Sequence, residues 1–157
     1  MKHQWSSYEL EESWSLSPEE LVLLSGRSDS NHLGFAVLLK FFQITGYFPR
    51  ERADVPQQAV EHLANLVNLH ASDFNDHSFS DRLLKSHRAE IRSFLGFRPS
   101  TNKDARAALQ WLKKEALSER STLHLQECLR RWYLDCRIEQ PSHSRKTLIP
   151  SDLVVTF

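Results

Sequence analysis

One segment constrains the fold of this chain more than any other. Residues 32–45, HLGFAVLLKFFQIT, are apolar on nearly every side of a helix, with Lys40 and Gln43 as the exceptions. Gly46 and Pro49 follow and favour an end to the helix there. The segment is shorter than the roughly 20 apolar residues that a membrane-crossing helix needs. Because a helix that is apolar all round is normally buried, we predict that this one lies at the centre of a globular core.

Helical patterns account for most of the remaining chain. Ser17 followed by Pro18 and Glu20 is a typical helix start, and Pro56 opens another apolar helical pattern. Three further amphipathic segments cover about 81–95, 103–117 and 122–137. The sequence therefore predicts an all-α fold, a compact bundle of about six helices, arranged as one body or as two small helical subdomains. We expect an acidic N-terminal arm over 1–15, a helical domain over 16–140 and a loosely held tail over 141–157.

Composition and motifs argue against several classes of protein. The chain has 20 Lys and Arg against 20 Asp and Glu, so it does not resemble a protein that simply coats nucleic acid. It holds no Gly-rich phosphate loop, no Gly-x-Ser-x-Gly elbow and no His-Glu-x-x-His pair. His124 and Cys128 have a spacing that suits metal ligands, but no C-x-x-C pair accompanies them. We therefore expect no enzyme activity, no cofactor and no metal.

The most informative stretch for function is 82–98. At roughly 100° per residue, one apolar stripe separates from a row of cations; the stripe contains Leu84, His87, Ile91, Phe94 and Leu95, and the row contains Arg82, Lys85, Arg88 and Arg92. A row of cations on one helix face suits the phosphates of duplex DNA, and arginine can also read base edges in the major groove. On the pattern alone, a merely solvated basic face is the commoner explanation.

Other cations carry weaker signals. Arg50 and Arg52 flank a proline-containing turn and could grip a DNA backbone, but an ordinary charged loop paired with Glu51 and Asp54 fits the composition equally well. A further set is interleaved with acids and is interpreted as exposed intrahelical pairs; it contains Lys113, Lys114, Arg130, Arg131 and Arg137.

Three motifs resemble a known family when they are taken in order. LSPEELVLLSG, then NHLGFAVLLKFFQITGYFPRERADVPQQAVEHLANLV, then HRAEIRSFLGFR are similar to the N-terminal domain of the Tn-three family of replicative transposases. The resemblance runs from about residue 16 to 140. It implies recognition of the terminal inverted repeats of a transposon by sequence-specific binding to duplex DNA. The candidate DNA-binding residues are Arg50, Arg52, Arg82, Lys85, His87, Arg88, Arg92 and Arg98, with Arg98 as a clamp on the DNA backbone.

The resemblance also implies what these residues lack. The family's catalytic Asp-Asp-Glu triad and its magnesium site belong to a much later region, so strand transfer is not expected of this chain. After Pro141 the sequence departs from the family pattern, which suits a fragment, a frameshifted remnant or a free-standing protein. The expected partners are transposon-end DNA and a full-length transposase, in the bacterial cytoplasm and without a membrane; the oligomeric state stays open.

A second function from a different class stays open. The chain could be a helical interaction module that docks on a transposase or inhibits it. Such a module should expose an apolar patch, and Trp5, Trp14 and Trp132 are the candidates for it. A DNA-binding domain should instead lose affinity steeply as the salt concentration rises.

Overall fold

The computed structural model describes residues 1–77, 81–115 and 122–141. The predicted all-α class is confirmed. Within the described residues there are seven α-helices and two short 3-10 helices, and no β-strand. The α-helices are α1 Ser7–Ser13, α2 Pro18–Leu24, α3 Asp29–Thr45, α4 Gln57–Leu66, α5 Asp81–Leu95, α6 Asn102–Glu115 and α7 Thr122–Asp135; the 3-10 helices are Arg52–Asp54 and Ala71–Asp76. Of the tail predicted over 141–157, residues 142–157 lie outside the described residues.

The chain divides into two compact units, Met1–Ile91 and Arg92–Phe157. Most of helix α5 belongs to the first unit, and its last residues belong to the second.

Helix α3 occupies the core of the first unit, as its sequence predicts. Its residues from Leu33 to Phe42 are all buried. The helix begins at Asp29, three residues before the apolar run, with Ser28 at the N-cap position. Gly46 ends it with a left-handed φ of 81°, and its N–H donates to the Phe42 carbonyl at 2.7 Å. That conformation suits glycine, which has no Cβ.

The one charged residue in the middle of α3 is buried with a partner. The Lys40 Nζ atom donates to both carboxylate oxygens of Glu20, at 2.7 and 2.8 Å, and to the Gln43 Oε1 atom at 2.8 Å. Burial opposes ionisation of Glu20, but Lys40 and the backbone of Ser17 outweigh it and hold the pKa of that carboxyl below its ordinary value. Because a buried charge is tolerated only when it is paired, this contact explains why α3 can carry a lysine.

The first 15 residues contain a short helix and pack on the first unit. Ser6 and Glu9 form a capping box at the start of α1. Trp14 is fully buried, and the Trp5 ring lies edge-on to it with centroids 5.8 Å apart. The backbone N–H of Trp5 donates to the Gln58 Oε1 atom of α4 at 2.8 Å. Trp14 therefore belongs to the core of the first unit and Trp5 packs against it, whereas Tyr8 is exposed.

The second unit is built around α6 and α7. Ala108 of α6 packs with Leu129, Tyr133 and Ile138, and Leu112 packs with Leu125 in a neighbouring cluster. After α7, the chain returns to residues 97–98, where Arg98 and Ile138 form an isolated parallel bridge.

Candidate nucleic-acid interface

Within the first unit, helix α5 has a buried side and an exposed side. Leu84, His87 and Ile91 are buried, which confirms the apolar stripe in this part of the helix. The opposite side is exposed and presents Arg82, Lys85, Ser86 and Ala89. We call these four residues the outer face of α5.

His87 lies on the buried side, so the structure does not keep it among the candidate DNA contacts. Its side chain is 2% exposed. The Nδ1 atom lies 3.3 Å from the Nε2 atom of His77, and the two rings are stacked with centroids 5.4 Å apart. The ring is also edge-on to Phe35 of α3 at 5.1 Å. The sequence contains this signal, because His87 falls in the same stripe as Leu84 and Ile91.

Arg88 joins α5 to the turn that follows α3. Its guanidinium carbon lies 5.4 Å from the centre of the Phe48 ring, and an Nη atom donates to the Pro49 carbonyl at 3.4 Å. The side chain is half-buried. Much of the Arg88 side chain therefore packs on the protein, unlike that of a fully solvated cation.

The two arginines of the turn have different environments. The Arg52 guanidinium donates to the carbonyls of Phe74, at 3.3 Å from Nε, and His77, so it holds together two segments of the first unit. Arg50 has an exposed side chain, and its backbone N–H donates to the Asp54 Oδ2 atom at 2.8 Å. Both arginines are exposed, but two carbonyls hold the Arg52 guanidinium, so Arg50 is the one of the two whose guanidinium can reach a ligand.

The two candidates in the second unit form ion pairs. Arg92 lies 2.9 Å from Glu139, with both side chains about one-fifth exposed. Arg98 makes two hydrogen bonds of 2.7 Å to Asp104. That contact with Arg98 holds the pKa of the Asp104 carboxyl well below its usual range. The Asp104 carboxylate also accepts from the Thr101 N–H at 2.8 Å, so this pair fixes the start of α6.

Five of the eight candidates are exposed, but Arg52 and Arg98 form hydrogen bonds with other residues of the protein. The other three exposed candidates are Arg50, Arg82 and Lys85. Among the described residues, none of the three side chains forms an ion pair. The other five contact groups between 6 and 47 positions away in the chain or are buried. A helical pattern places a cation on a face of its own helix, but it carries no information on these distant partners.

Helix α6 carries exposed cations that were not among the candidate residues. Lys103, Arg106, Lys113 and Lys114 are all exposed. The predicted intrahelical pairing holds for Arg130, which lies against Glu127. Among the described side chains, none forms an ion pair with Lys113 or Lys114, and the predicted pairing with Glu115 lies outside the described side chains. Helical spacing of the α6 cations alone would have indicated a basic face.

In the described part of the chain, no three His, Cys, Asp or Glu residues lie close enough together to hold a metal ion. None of the described helices is long and apolar enough to cross a membrane.

The fold and its exposed cations thus define a small helical domain with basic surfaces. Residues 1–145 match a family that is described as a domain of unknown function, DUF4158, and the chain belongs to that family.

The chain is also similar to part of a curated protein. Over 118 residues, or 74% of this chain, the sequence is 25% identical to the transposase for transposon Tn1546 from Enterococcus faecium. The matched region covers 12% of that transposase. The chain is therefore similar to a small part of a transposase.

Proposed function

We propose that this domain binds the duplex DNA of transposon ends, in the terminal inverted repeats, and acts in transposition. The observation that carries the proposal is the outer face of α5, an exposed helix surface with two cations. The similarity to the Tn1546 transposase supports it, since a transposase must find the ends of its element. DNA binding of this kind places the domain in the cytoplasm, on the nucleoid.

The shape and chemistry of the outer face suit a DNA groove. Ser86 and Ala89, the other two residues of this face, are small and exposed, so the helix backbone can approach a duplex closely. Arg82 and Lys85 can then contact phosphates or the acceptor edge of guanine, and the Ser86 hydroxyl can contact a base or a phosphate. An α-helix fits the major groove of B-form DNA.

The turn after α3 adds a second contact in the same unit. Arg88 holds that turn against α5 through Phe48 and the Pro49 carbonyl. Arg50 is the next residue, and its side chain is exposed. We infer that Arg50 contacts the DNA backbone, while Arg88 keeps the turn in place.

The alternative of a protein-docking module receives less support. It predicts an exposed apolar patch with tryptophans as candidates, but Trp14 is fully buried and Trp5 packs against the core. Trp132 is half-buried against the cluster of Tyr133. The exposed large apolar side chains in the described residues are mostly scattered, which is ordinary for a protein surface.

The test replaces Arg82 and Lys85 with Gln together, and Arg50 with Gln separately. Affinity for fragments of the flanking DNA is then measured at several salt concentrations. Each lost phosphate contact should reduce the slope of log affinity against log salt by about 0.9. Loss of an arginine that reads a guanine should instead blur the preference at one base pair. Lys2→Gln is the control, because Lys2 is an exposed cation paired with Glu9 and distant in sequence from the site.

Two outcomes would count against the proposal in different ways. If the unmodified domain binds no duplex at low salt, the function itself fails and the docking module takes its place. If binding is retained but neither variant changes the slope or the sequence preference, the outer face of α5 is not the site.

A further inference from the structure

A second row of cations lies on helix α6, in the second unit. At roughly 100° per residue, Lys103, Arg106, Gln110, Lys113 and Lys114 fall within about one-third of the helix circumference. All five side chains are exposed. We call these five residues the basic face of α6. Its ends are eleven residues apart, or about 16 Å along the helix axis.

The packing of α6 fixes the direction of this face. Ala108 and Leu112, on the other side of the helix, are 1% and 0% exposed and pack against α7. A rotation of the helix that buried the cations would expose these two residues. The basic face is therefore held toward solvent by the core of its own unit.

The acidic residues of α6 lie beside this face and not on it. Asp104 and Glu115 each follow a lysine by one position, so they lie roughly 100° round the helix from it. Asp104 is 8% exposed and accepts two hydrogen bonds from Arg98. Among the described side chains, none forms an ion pair with the four cations of the face.

The residue types indicate the kind of partner. Protein–protein interfaces have aromatic and apolar centres and are depleted in lysine, whereas three of the five residues here are lysines and none is apolar. Single-stranded nucleic acid is bound through aromatic side chains that stack on bases, and the face contains no aromatic residue. Duplex DNA presents a phosphate charge about every 1.7 Å along its axis, so a 16 Å row of cations faces several of them.

We propose that the basic face of α6 binds the phosphate backbone of duplex DNA, as a contact separate from the outer face of α5. It supplies affinity without sequence preference, because lysine contacts to phosphate carry no base information. The choice of DNA as partner rests on the proposed function; the face itself rests on the geometry of α6.

The experiment uses the full chain and two double variants, Lys103→Gln with Arg106→Gln and Lys113→Gln with Lys114→Gln. Binding to a duplex of scrambled sequence and to the flanking DNA is measured across a range of salt concentrations. Each double variant should reduce the slope of log affinity against log salt by about 2, equally for both duplexes. The double variant Lys113→Arg with Lys114→Arg keeps the charges and should keep the slope.

A matched control removes two cations from the adjacent helix of the same unit. Arg130 and Arg131 on α7 are replaced by Gln, and the slope should fall by clearly less than for the α6 variants. Equal losses from the α6 pairs and the α7 pair would overturn the proposal, because net charge alone would then explain the effect.

The failures are distinguishable. Binding by the unmodified chain with unchanged slopes in both α6 variants overturns the basic face alone and points to an acidic protein surface as its partner. An absence of binding to either duplex at low salt overturns this proposal and the proposed function together.

Discussion

Helices α5 and α6 have a similar pattern of charged and apolar residues, but their cations contact different groups. They have 15 and 14 residues, and each carries cations on one side and apolar residues on the other. On α5, Arg88 contacts Pro49 and Arg92 contacts Glu139, far away in the chain. On α6, the cations of the basic face are exposed and form no ion pair within the described residues. Two equally basic patterns thus correspond to one helix whose charges partly hold the fold and one whose charges face solvent.

The chemistry of the side chains explains part of this difference. The planar guanidinium of arginine donates in a fixed fork and stacks on aromatic rings, so it suits half-buried contacts such as those of Arg88 and Arg98. Lysine carries a strongly hydrated point charge. Three of the four cations on α6 are lysines, which favours the exposed outcome.

The largest effect is expected at Gly34 of α3, close to the rings of His77 and His87. A Cβ atom at Gly34 would lie 2.1 Å from the His77 ring. Although alanine favours helices more than glycine does, Gly34→Ala should therefore lower the free energy of unfolding by about 3 kcal/mol. Urea denaturation measures this change.

Gly26→Ala is the control. No atom lies within 4 Å of the added Cβ, so the only cost is that alanine must adopt a φ of 81°. It should cost about 1 kcal/mol. A Gly34→Ala protein as stable as the unmodified chain would show that His77 does not pack against α3.

The next effect depends on pH. Burial first, then the nearby His87 and Arg52, lowers the pKa of His77 from 6.5 to about 4. Since the unfolded chain binds a proton at His77 more readily, the stabilisation from the neutral ring is complete above about pH 6.5 and is lost as the pH falls toward 4. The free energy of unfolding should drop by up to about 3 kcal/mol over that range.

Thermal or urea unfolding at a series of pH values measures this loss. His77→Phe should reduce the dependence between pH 6.5 and 4. If His77→Phe keeps the full pH dependence, another group is responsible.

A smaller effect compares the cations of the two helices directly. Arg88→Gln removes the contacts with Phe48 and Pro49 and should cost about 1–2 kcal/mol. Lys113→Gln with Lys114→Gln should change the stability by less than about 0.5 kcal/mol, since these side chains are exposed. Melting temperatures of the variants measure the difference. Equal shifts for the two variants would remove the distinction between the helices.

The fold was largely predictable from the sequence, and the candidate site only in part. The apolar run of α3, the capping box of α2 and the stripe of α5 follow from local patterns, so the all-α class and most helix positions were correct. The ion pairs of Arg92 and Arg98 could not be predicted in this way. Glu139 lies 47 positions from Arg92 in the chain, and no local pattern indicates that Asp104 pairs with Arg98. The packing of the first 15 residues depends on Trp14. The other buried residues of its cluster lie between Leu33 and Phe74, far from Trp14 in the chain.

The most direct test of the account is the salt dependence of duplex binding by the unmodified chain. Three exposed cations of the first unit and four of α6 are assigned to phosphates: Arg50, Arg82, Lys85, Lys103, Arg106, Lys113 and Lys114. Fluorescence anisotropy with flanking and scrambled duplexes should give a slope of log affinity against log salt of about −6, with tighter binding to the flanking DNA. An affinity that does not change with salt, or no binding at low salt, would contradict the account.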